Sequence, residues 1–416
     1  MTVRPPIYLL FSIGCLAAGL SGQSLLESYG FGQPQPEADV VGQSMGGISV
    51  LPMVRGSSHY SLPASWHLIR RTQFQVGLTH NEVLPDGGGL YRRDVFQQAQ
   101  FLAHQTNRAA FGVGMRPLTR VDLAMIDTTT GAQALGPDNL TFNQMRKLSG
   151  GMSAFRVGYS RRVTGELSLG LSLDFIFGTL NQLDTLIFTD WGSRNDLPLD
   201  LISKRRMEFT GKALGLSLLW DRGEDNRGFV GMQMQFPLNL DLITHSQSTG
   251  LAGESTIRQS GVGLPFEARI GYGYSLTASQ LILAELGFST LPAAHAHKQV
   301  FGRYLKRTGE LRLGWSKTPP EGSEFQPGRF YYRVGFSYLA YYLSALNNAP
   351  SGVLNEFSLT AGVGFRSLPP RNRLDLAVQY GLRNGPWLEL QEKFVRLSMS
   401  VTTGELWFMR PKKKWD

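Results

Sequence analysis

One cysteine, Cys15, occurs in 416 residues, and it lies in the apolar N-terminal stretch. Without that stretch the chain has no thiol and can form no disulfide. Long apolar runs are also missing. Beyond the first twenty or so residues, no segment reaches the roughly 18 uninterrupted apolar residues that a spanning helix needs. Catalytic signatures are absent too: there is no Gly-x-Ser-x-Gly elbow, phosphate loop or metalloprotease helix. His295 and His297 form a His-x-His pair that would share one face of a strand. No carboxylate or cysteine stands at ligand spacing beside them, so no metal, cofactor or enzymatic activity is expected. The formal charge of +9 includes a C-terminal cluster, Arg410-Pro411-Lys412-Lys413-Lys414, and is otherwise scattered. Nucleic-acid binding would need a basic stripe, so this reads as a solvated tail.

What the chain does have is 48 glycines, 11% aromatic residues and a leader-like start. Arg4 supplies a positive n-region and Ile7 to Leu20 an apolar h-region, which together read as a signal peptide over residues 1–22. Gly19 and Ser21 fit the −3 and −1 places of a cleavage site, and a cut after Gly22 is the alternative. Cys15 follows Ser12-Ile13-Gly14 without the usual leucine at −3, which speaks against lipidation. Asn139-Leu140-Thr141 reads as a loop.

From about residue 67 apolar residues recur at every second position, the period of a strand. Leu167, Leu169, Leu171, Leu173 and Phe175 alternate with Ser168, Gly170, Ser172 and Asp174. Val395, Leu397, Met399 and Val401 alternate with Arg396, Ser398, Ser400 and Thr402. About fourteen strands are expected, near 67–80, 94–104, 108–127, 149–161, 165–178, 205–220, 227–246, 257–274, 279–290, 302–316, 328–342, 354–366, 372–382 and 393–408. Most have the ten or so residues that a tilted strand needs to cross a bilayer.

Alternation alone fits a soluble sandwich or a membrane barrel. Connection length separates them. Tight turns at 105–107, 163–165, 221–226 and 275–278 alternate with long links around 81–93, 128–148, 179–204 and 247–256, the pattern of an outer-membrane barrel. The link at 317–327 is long where a short turn is due. Trp66, Tyr159, Trp220, Tyr272, Tyr274, Trp315, Tyr331, Tyr332, Tyr341, Tyr342, Trp407 and Phe408 stand near strand ends and read as interfacial girdles. The predicted class is all-β: a transmembrane antiparallel barrel over 67–409, with a basic periplasmic tail at 410–416. The expected lumen face reads as mostly Gly, Ser, Thr and Gln with scattered charge.

Residues 23–66 show no strand period and are rich in small residues. A barrel of about fourteen strands leaves space that wall side chains do not fill, so this segment is expected to be a small plug in the lumen.

Four stretches resemble the FadL-like family of outer-membrane transport proteins, in particular the divergent branch common in Bacteroidetes and related phyla. Gly42-Gln43-Ser44-Met45-Gly46-Gly47-Ile48-Ser49-Val50 is similar to the family's glycine-rich hatch. Leu62-Pro63-Ala64-Ser65 is similar to its Asn-Pro-Ala element, with Leu62 in the place of asparagine. The others are Phe111 to Pro117 with Arg120-Val121-Asp122, and Glu392 to Phe408, which eight further residues follow. The resemblance implies fourteen strands, a plug formed around Gly42, Met45, Gly46 and Gly47, and passive uptake of hydrophobic molecules such as long-chain fatty acids. It also implies sideways exit through a wall gap made by a kinked third strand. Arg116 and Pro117 are the candidates for that kink, since proline in a sheet is confined to edges and bulges; Pro117 could instead only begin a loop.

The partners expected are outer-membrane lipid, a hydrophobic ligand and the barrel assembly machinery, with a monomer as the working unit and the Gram-negative outer membrane as the location. Two other readings stay open. One is a barrel that acts with protein partners in secretion or envelope assembly, the other a general diffusion porin, which the modest lumen charge disfavours.

Overall fold

The computed structural model describes Glu27 and residues 31–52, 59–85, 90–127, 142–188, 200–221, 227–248, 254–291, 303–319, 330–345, 352–366, 372–385 and 390–405. A two-residue strand, β1 (Gln33–Pro34), a short helix, α1 (Val40–Gln43), and a 3-10 helix over Pro63–Leu68 come first. The strands then follow in order: β2 (Thr72–Pro85), β3 (Tyr91–Thr106), β4 (Ala109–Asp127), β5 (Phe142–Arg162), β6 (Leu167–Phe188), β7 (Asp200–Asp221), β8 (Gly228–Ser248) and β9 (Glu254–Ser260). After these come β10 (Phe266–Thr277), β11 (Gln280–Thr290), β12 (Arg303–Lys317), β13 (Phe330–Ala345), β14 (Gly352–Arg366), β15 (Arg373–Gly385) and β16 (Leu390–Glu405). Fourteen of them, β2–β8 and β10–β16, form one closed antiparallel barrel. Chain neighbours pair, and β16 returns to β2 with Glu405 opposite Thr72.

The wall faces the expected way. Outward positions carry Leu359, Leu286, Leu171 and Tyr272 at 64%, 58%, 51% and 51% exposure, while their chain neighbours point inward and, except for the half-buried Gly287, are buried. A continuous apolar exterior of this kind suits lipid rather than water. Tyr159, Tyr272 and Tyr332 are exposed close to the short-turn rim, where girdle aromatics belong. Three expected girdle members lie elsewhere; Tyr331, on the same strand face as the buried Arg333 that lies over its ring, turns to the lumen. Trp66 is fully buried in the 3-10 helix and donates its indole N–H to the carbonyls of His59 and Tyr60 at 3.0 and 3.1 Å. Tyr341 is 7% exposed and lines the lumen. Aromatic residues near a strand end have two faces available, and only the register decides between lipid and lumen.

Several strands run further toward the long-connection rim than the alternation indicates. β5 begins at Phe142 rather than 149, β6 continues to Phe188 rather than 178, and β7 begins at Asp200 rather than 205. The ladder continues there, for example Ser149 opposite Asn181, but outward positions beyond the apolar band are also polar, so the period disappears. The first barrel strand starts at Thr72, because Pro63 opens a helical turn instead of a strand. The expected strand at 257–274 is two pieces, β9 and β10, separated at 261–265 where Gly261 has φ +70°. In the unexpected long link, β12 ends at Lys317 and β13 begins at Phe330. Residues 1–22, Asn139, His295, His297, Trp407, Phe408 and the basic tail lie outside the described residues.

The plug joins the first barrel strand at the short-turn rim and is packed against a collar of lumen-facing glycines. Gly112 pairs with Gly158, Gly231 with Gly271 and Gly314 with Gly335 across adjacent strands. A Cβ at Gly231 would overlap the Val50 carbonyl, and one at Gly335 would overlap the backbone of Met45 and Gly46. A Cβ at Gly158 would stand 2.8 Å from the Trp66 ring. The collar therefore lets the plug backbone touch the wall backbone, as small residues permit. Val41, Met45, Ile48, Val50, Leu51, Leu62 and Ala64 form the apolar core of this contact.

Candidate functional site

The hatch residues sit at the centre of the plug. Asp39 caps α1 by accepting from the Gly42 N–H at 2.8 Å. Gly46 and Gly47 have φ values of +74° and +83°, which glycine alone adopts cheaply, and the Gly46 N–H donates to Thr360 Oγ1 at 2.8 Å. Met45 is fully buried against Gly314 and Gly335. Leu62 is also fully buried, within the plug core, where an apolar side chain stands in place of the family's asparagine. Pro63 starts the 3-10 helix, and the Ala64 N–H donates to Ser217 Oγ at 2.9 Å.

The lumen is much more charged than its sequence face implied. Arg156 holds Asp174 through Nε and Nη2 at 2.7 and 2.8 Å. Arg156 and Arg116 both reach Glu37 Oε1 at 3.4 Å, Gln233 donates to it at 3.1 Å, and Arg269 pairs with Glu37 Oε2. Arg269 continues to Glu310 at 3.3 Å, Glu310 to Arg312 at 2.8 Å, and Arg312 to Glu285 at 2.7 Å. Glu285 then accepts from the backbone N–H groups of Ser49 and Val50 at 2.6 and 2.9 Å. One ionic chain thus grips the plug twice, at Glu37 and at Ser49-Val50. The charges were hard to see in sequence because each is spaced among small polar residues. Apart from Glu310 and Arg312, two residues apart on β12, their partners lie on other strands or on the plug.

Burial alone would push the Glu37 carboxyl up, but Arg116, Arg269 and Arg156 outweigh it and hold the group well below the usual carboxylate range. For Asp39 burial again pushes up, and interactions with His59, the Gly42 N–H and Arg373 together hold it low. The buried Tyr60 phenol is pushed up to about 12, mainly by desolvation.

Above this ionic layer the lumen changes character. Val121, Leu123, Leu148, Met152, Ile176, Leu180, Phe209, Leu240 and Leu242 form an apolar surface on β4–β8, joined by Val262 and Leu264 from the break before β10. Phe31 of the N-terminal segment lies on it, its ring edge-on to Phe209 at 5.0 Å. A cavity of about 210 Å³ lies between the two layers. Phe31, Leu118, Met152, Ile176 and Leu264 line one side and Arg269, Glu310, Arg312 and Arg383 the other. Sequence reasoning missed this surface, since Leu148, Met152 and Ile176 occupy lumen positions that the barrel pattern assigns to polar residues.

Arg116 and Pro117 lie where the wall parts. The β3–β4 ladder runs from Thr106 opposite Ala109 to Ala99 opposite Met115, and ends there. On the other edge β4 stays paired with β5 to Asp127, with a register shift between Pro117 and Thr119. Proline lacks the N–H that the ladder would use, which favours a bulge at that point. Beside the freed edge runs the N-terminal segment. Gln33 and Pro34 pair with Arg120 and Thr119, and the Gln35 N–H donates to the Leu118 carbonyl at 2.9 Å. Glu27 spans the seam, accepting from Arg93 Nη1 of β3 at 2.9 Å and from the Asp122 N–H of β4 at 2.8 Å.

The family model described as BamG matches residues 6–415. No curated protein compared with the chain matches it. Among solved structures, a Pseudomonas aeruginosa FadL homologue is similar with a TM-score of 0.60 at 13% identity, over 90% of this chain and 99% of that one. The toluene transporter TodX of P. putida matches with a TM-score of 0.53 at 13% identity, over 89% and 100%. The monoaromatic hydrocarbon channel CymD matches with a TM-score of 0.52 at 15% identity, over 89% and 98%. At such identities the likeness is one of fold.

Proposed function

The chain belongs to the BamG family, and from that membership and the layered lumen we propose that it is an outer-membrane barrel that receives hydrophobic small molecules. They lodge against the apolar surface around Phe31 and Phe209 and leave sideways at the seam beside Arg116 and Pro117. The observation that carries this reading is the apolar lining of a chamber that a water-filled pore would leave polar. The plug and its ionic chain close the axial route, so exit through the wall is the shorter path. The similar folds of channels named for toluene and monoaromatic hydrocarbons support the ligand class, and long-chain fatty acids are an alternative of the same apolar character. The test is native mass spectrometry of the detergent-purified protein, followed by solvent extraction. A lipid-like or aromatic molecule should copurify, and Phe209→Glu should abolish it. A steady ionic conductance from the wild-type barrel in planar bilayers would sink the reading.

A second reading is favoured by the family match over residues 6–415, since the family's name links it to barrel assembly. In it the protein works together with other outer-membrane proteins, and the plugged lumen is a scaffold. Chemical crosslinking in intact cells, followed by purification, should then recover a defined outer-membrane complex. Recovery of the monomer alone would remove this reading.

A further inference from the structure

The wall defect between β3 and β4 is repaired by a poor strand. Among the described residues, β4 beyond Met115 pairs with β5 on one edge, and on the other its backbone meets only β1, the Gln35 N–H and the carboxylate of Glu27. β1 is two residues long, Pro34 and Pro36 have no N–H to offer, and Gly32 has φ +99°. Such a segment satisfies few of the backbone groups along the edge.

The outer face beside the seam is charged where the neighbouring wall is apolar. On β2 and β3, His80 stands opposite Asp94 and Glu82 opposite Arg92, with side-chain contacts of 2.7 and 2.8 Å. The same rows meet Leu397 and Val395 on β16. Asp94 is 90% exposed in its side chain. Hydrocarbon does not solvate such groups, whereas a polar protein surface does. On the lumen side, Val121 and Leu123 lie in the apolar surface that Phe31 covers.

We infer that the β3–β4 seam is a strand-accepting interface. An extended segment of a partner protein displaces β1 and adds to the edge of β4 in the manner of β-augmentation. Its side chains alternate: an apolar residue replaces Phe31 on the lumen side, and polar residues meet the Arg92–Glu82 and His80–Asp94 pairs outside. This rests on the second reading above, that the protein works with protein partners, and says where and how it does so.

The test uses the full chain in its native membrane, with Cys15→Ser so that no other thiol intervenes. A photo-reactive residue is placed at Asp94, with one at Leu286 on the far wall as control. The cross-strand pair Gln33→Cys and Arg120→Cys locks β1 to β4 when oxidised. The Asp94 probe should give a protein adduct whose crosslinked peptide alternates apolar and polar residues. Oxidation should lower its yield by about tenfold, and reductant should restore it. Heat-dependent migration on gels checks that each variant is folded. Should the cysteine pair fail that check, Pro34→Val with Pro36→Val lengthens β1 and should lower the yield in the same direction. A lipid adduct alone, or no adduct, overturns the inference. A protein adduct insensitive to the lock also overturns it, while leaving the partner reading intact.

Discussion

Gly335 of β13 lies so close to Met45 of the plug that a Cβ on the glycine would overlap the methionine backbone. Backbone thus meets backbone across the lumen, and Gly46 adds a hydrogen bond to Thr360 on the next strand. Gly335→Ala should therefore push the plug away from the wall and cost about 1–3 kcal/mol, the usual penalty of overpacking. Gly309→Ala, on the neighbouring strand β12 with open space around it, should be within about 0.5 kcal/mol of wild type. Urea denaturation in detergent, followed by the loss of heat-dependent gel migration, compares the two. Equal stability of both variants would contradict the collar.

Glu285 is the wall's handle on the plug. It accepts from two plug backbone N–H groups and pairs with Arg312. Glu285→Leu removes the acceptors and leaves Arg312 with Glu310 as its remaining carboxylate. Breaking a buried pair by deleting one partner costs about 3–5 kcal/mol. The expected result is faster hydrogen exchange at Ser49 and Val50, with the exchange of the barrel strands nearly unchanged. Uniform acceleration over the whole chain would mean that Glu285 serves the barrel rather than the plug.

Much of this architecture is legible in sequence. Strand number and order follow from a period of two, which lipid enforces wherever one face of the wall touches it, as along Leu167 to Phe175. The same rule hides the remainder. Above the lipid band Thr179 and Asn181 face water outside, so β6 loses its signature while its ladder continues. Trp66 and Tyr341 are aromatic residues near strand ends, and sequence gives no sign that one belongs to the plug and the other to the lumen. Within the ionic chain from Asp174 to Glu285, Glu37 meets Arg156 and Arg269, each more than a hundred positions away, and only insertion of the plug into the lumen brings them together.

Plug release should depend on acid in one direction. The folded Glu37 and Asp39 carboxyls are held below their ordinary values of 4.5 and 3.8. Groups with depressed folded values contribute stability that is complete above the unfolded value and is lost as pH falls through the folded one. The plug should therefore stay docked from neutral pH down to the ordinary carboxylate range and loosen only below it. Limited proteolysis of the plug across a pH series measures this. Release with a midpoint near pH 6 would point to a histidine instead. Glu37→Gln should weaken docking at neutral pH and flatten the acid dependence.

Glu27 joins the two strands that the ladder leaves apart, through Arg93 on one side and the Asp122 N–H on the other. Its side chain and that of Arg93 are 1% and 5% exposed, so the pair is shielded from solvent. Glu27→Ala removes the acceptor for both strands and leaves Arg93 without this carboxylate, at a cost of about 3–5 kcal/mol to the local closure. Because the barrel closes through its other ladders, that cost should appear as opening of the seam and not as global unfolding. A solvatochromic fluorophore attached at Leu118→Cys, in a Cys15→Ser background, reports the change: its emission should shift as the cavity side of β4 becomes accessible. The same fluorophore at Leu339→Cys, across the cavity on β13, should shift little. Restoring a shorter carboxylate with Glu27→Asp should return part of the wild-type signal, since the charge survives while the reach does not. Equal shifts at both positions would mean that Glu27 stabilises the barrel as a whole, and the seam would then have to be held by β1 alone.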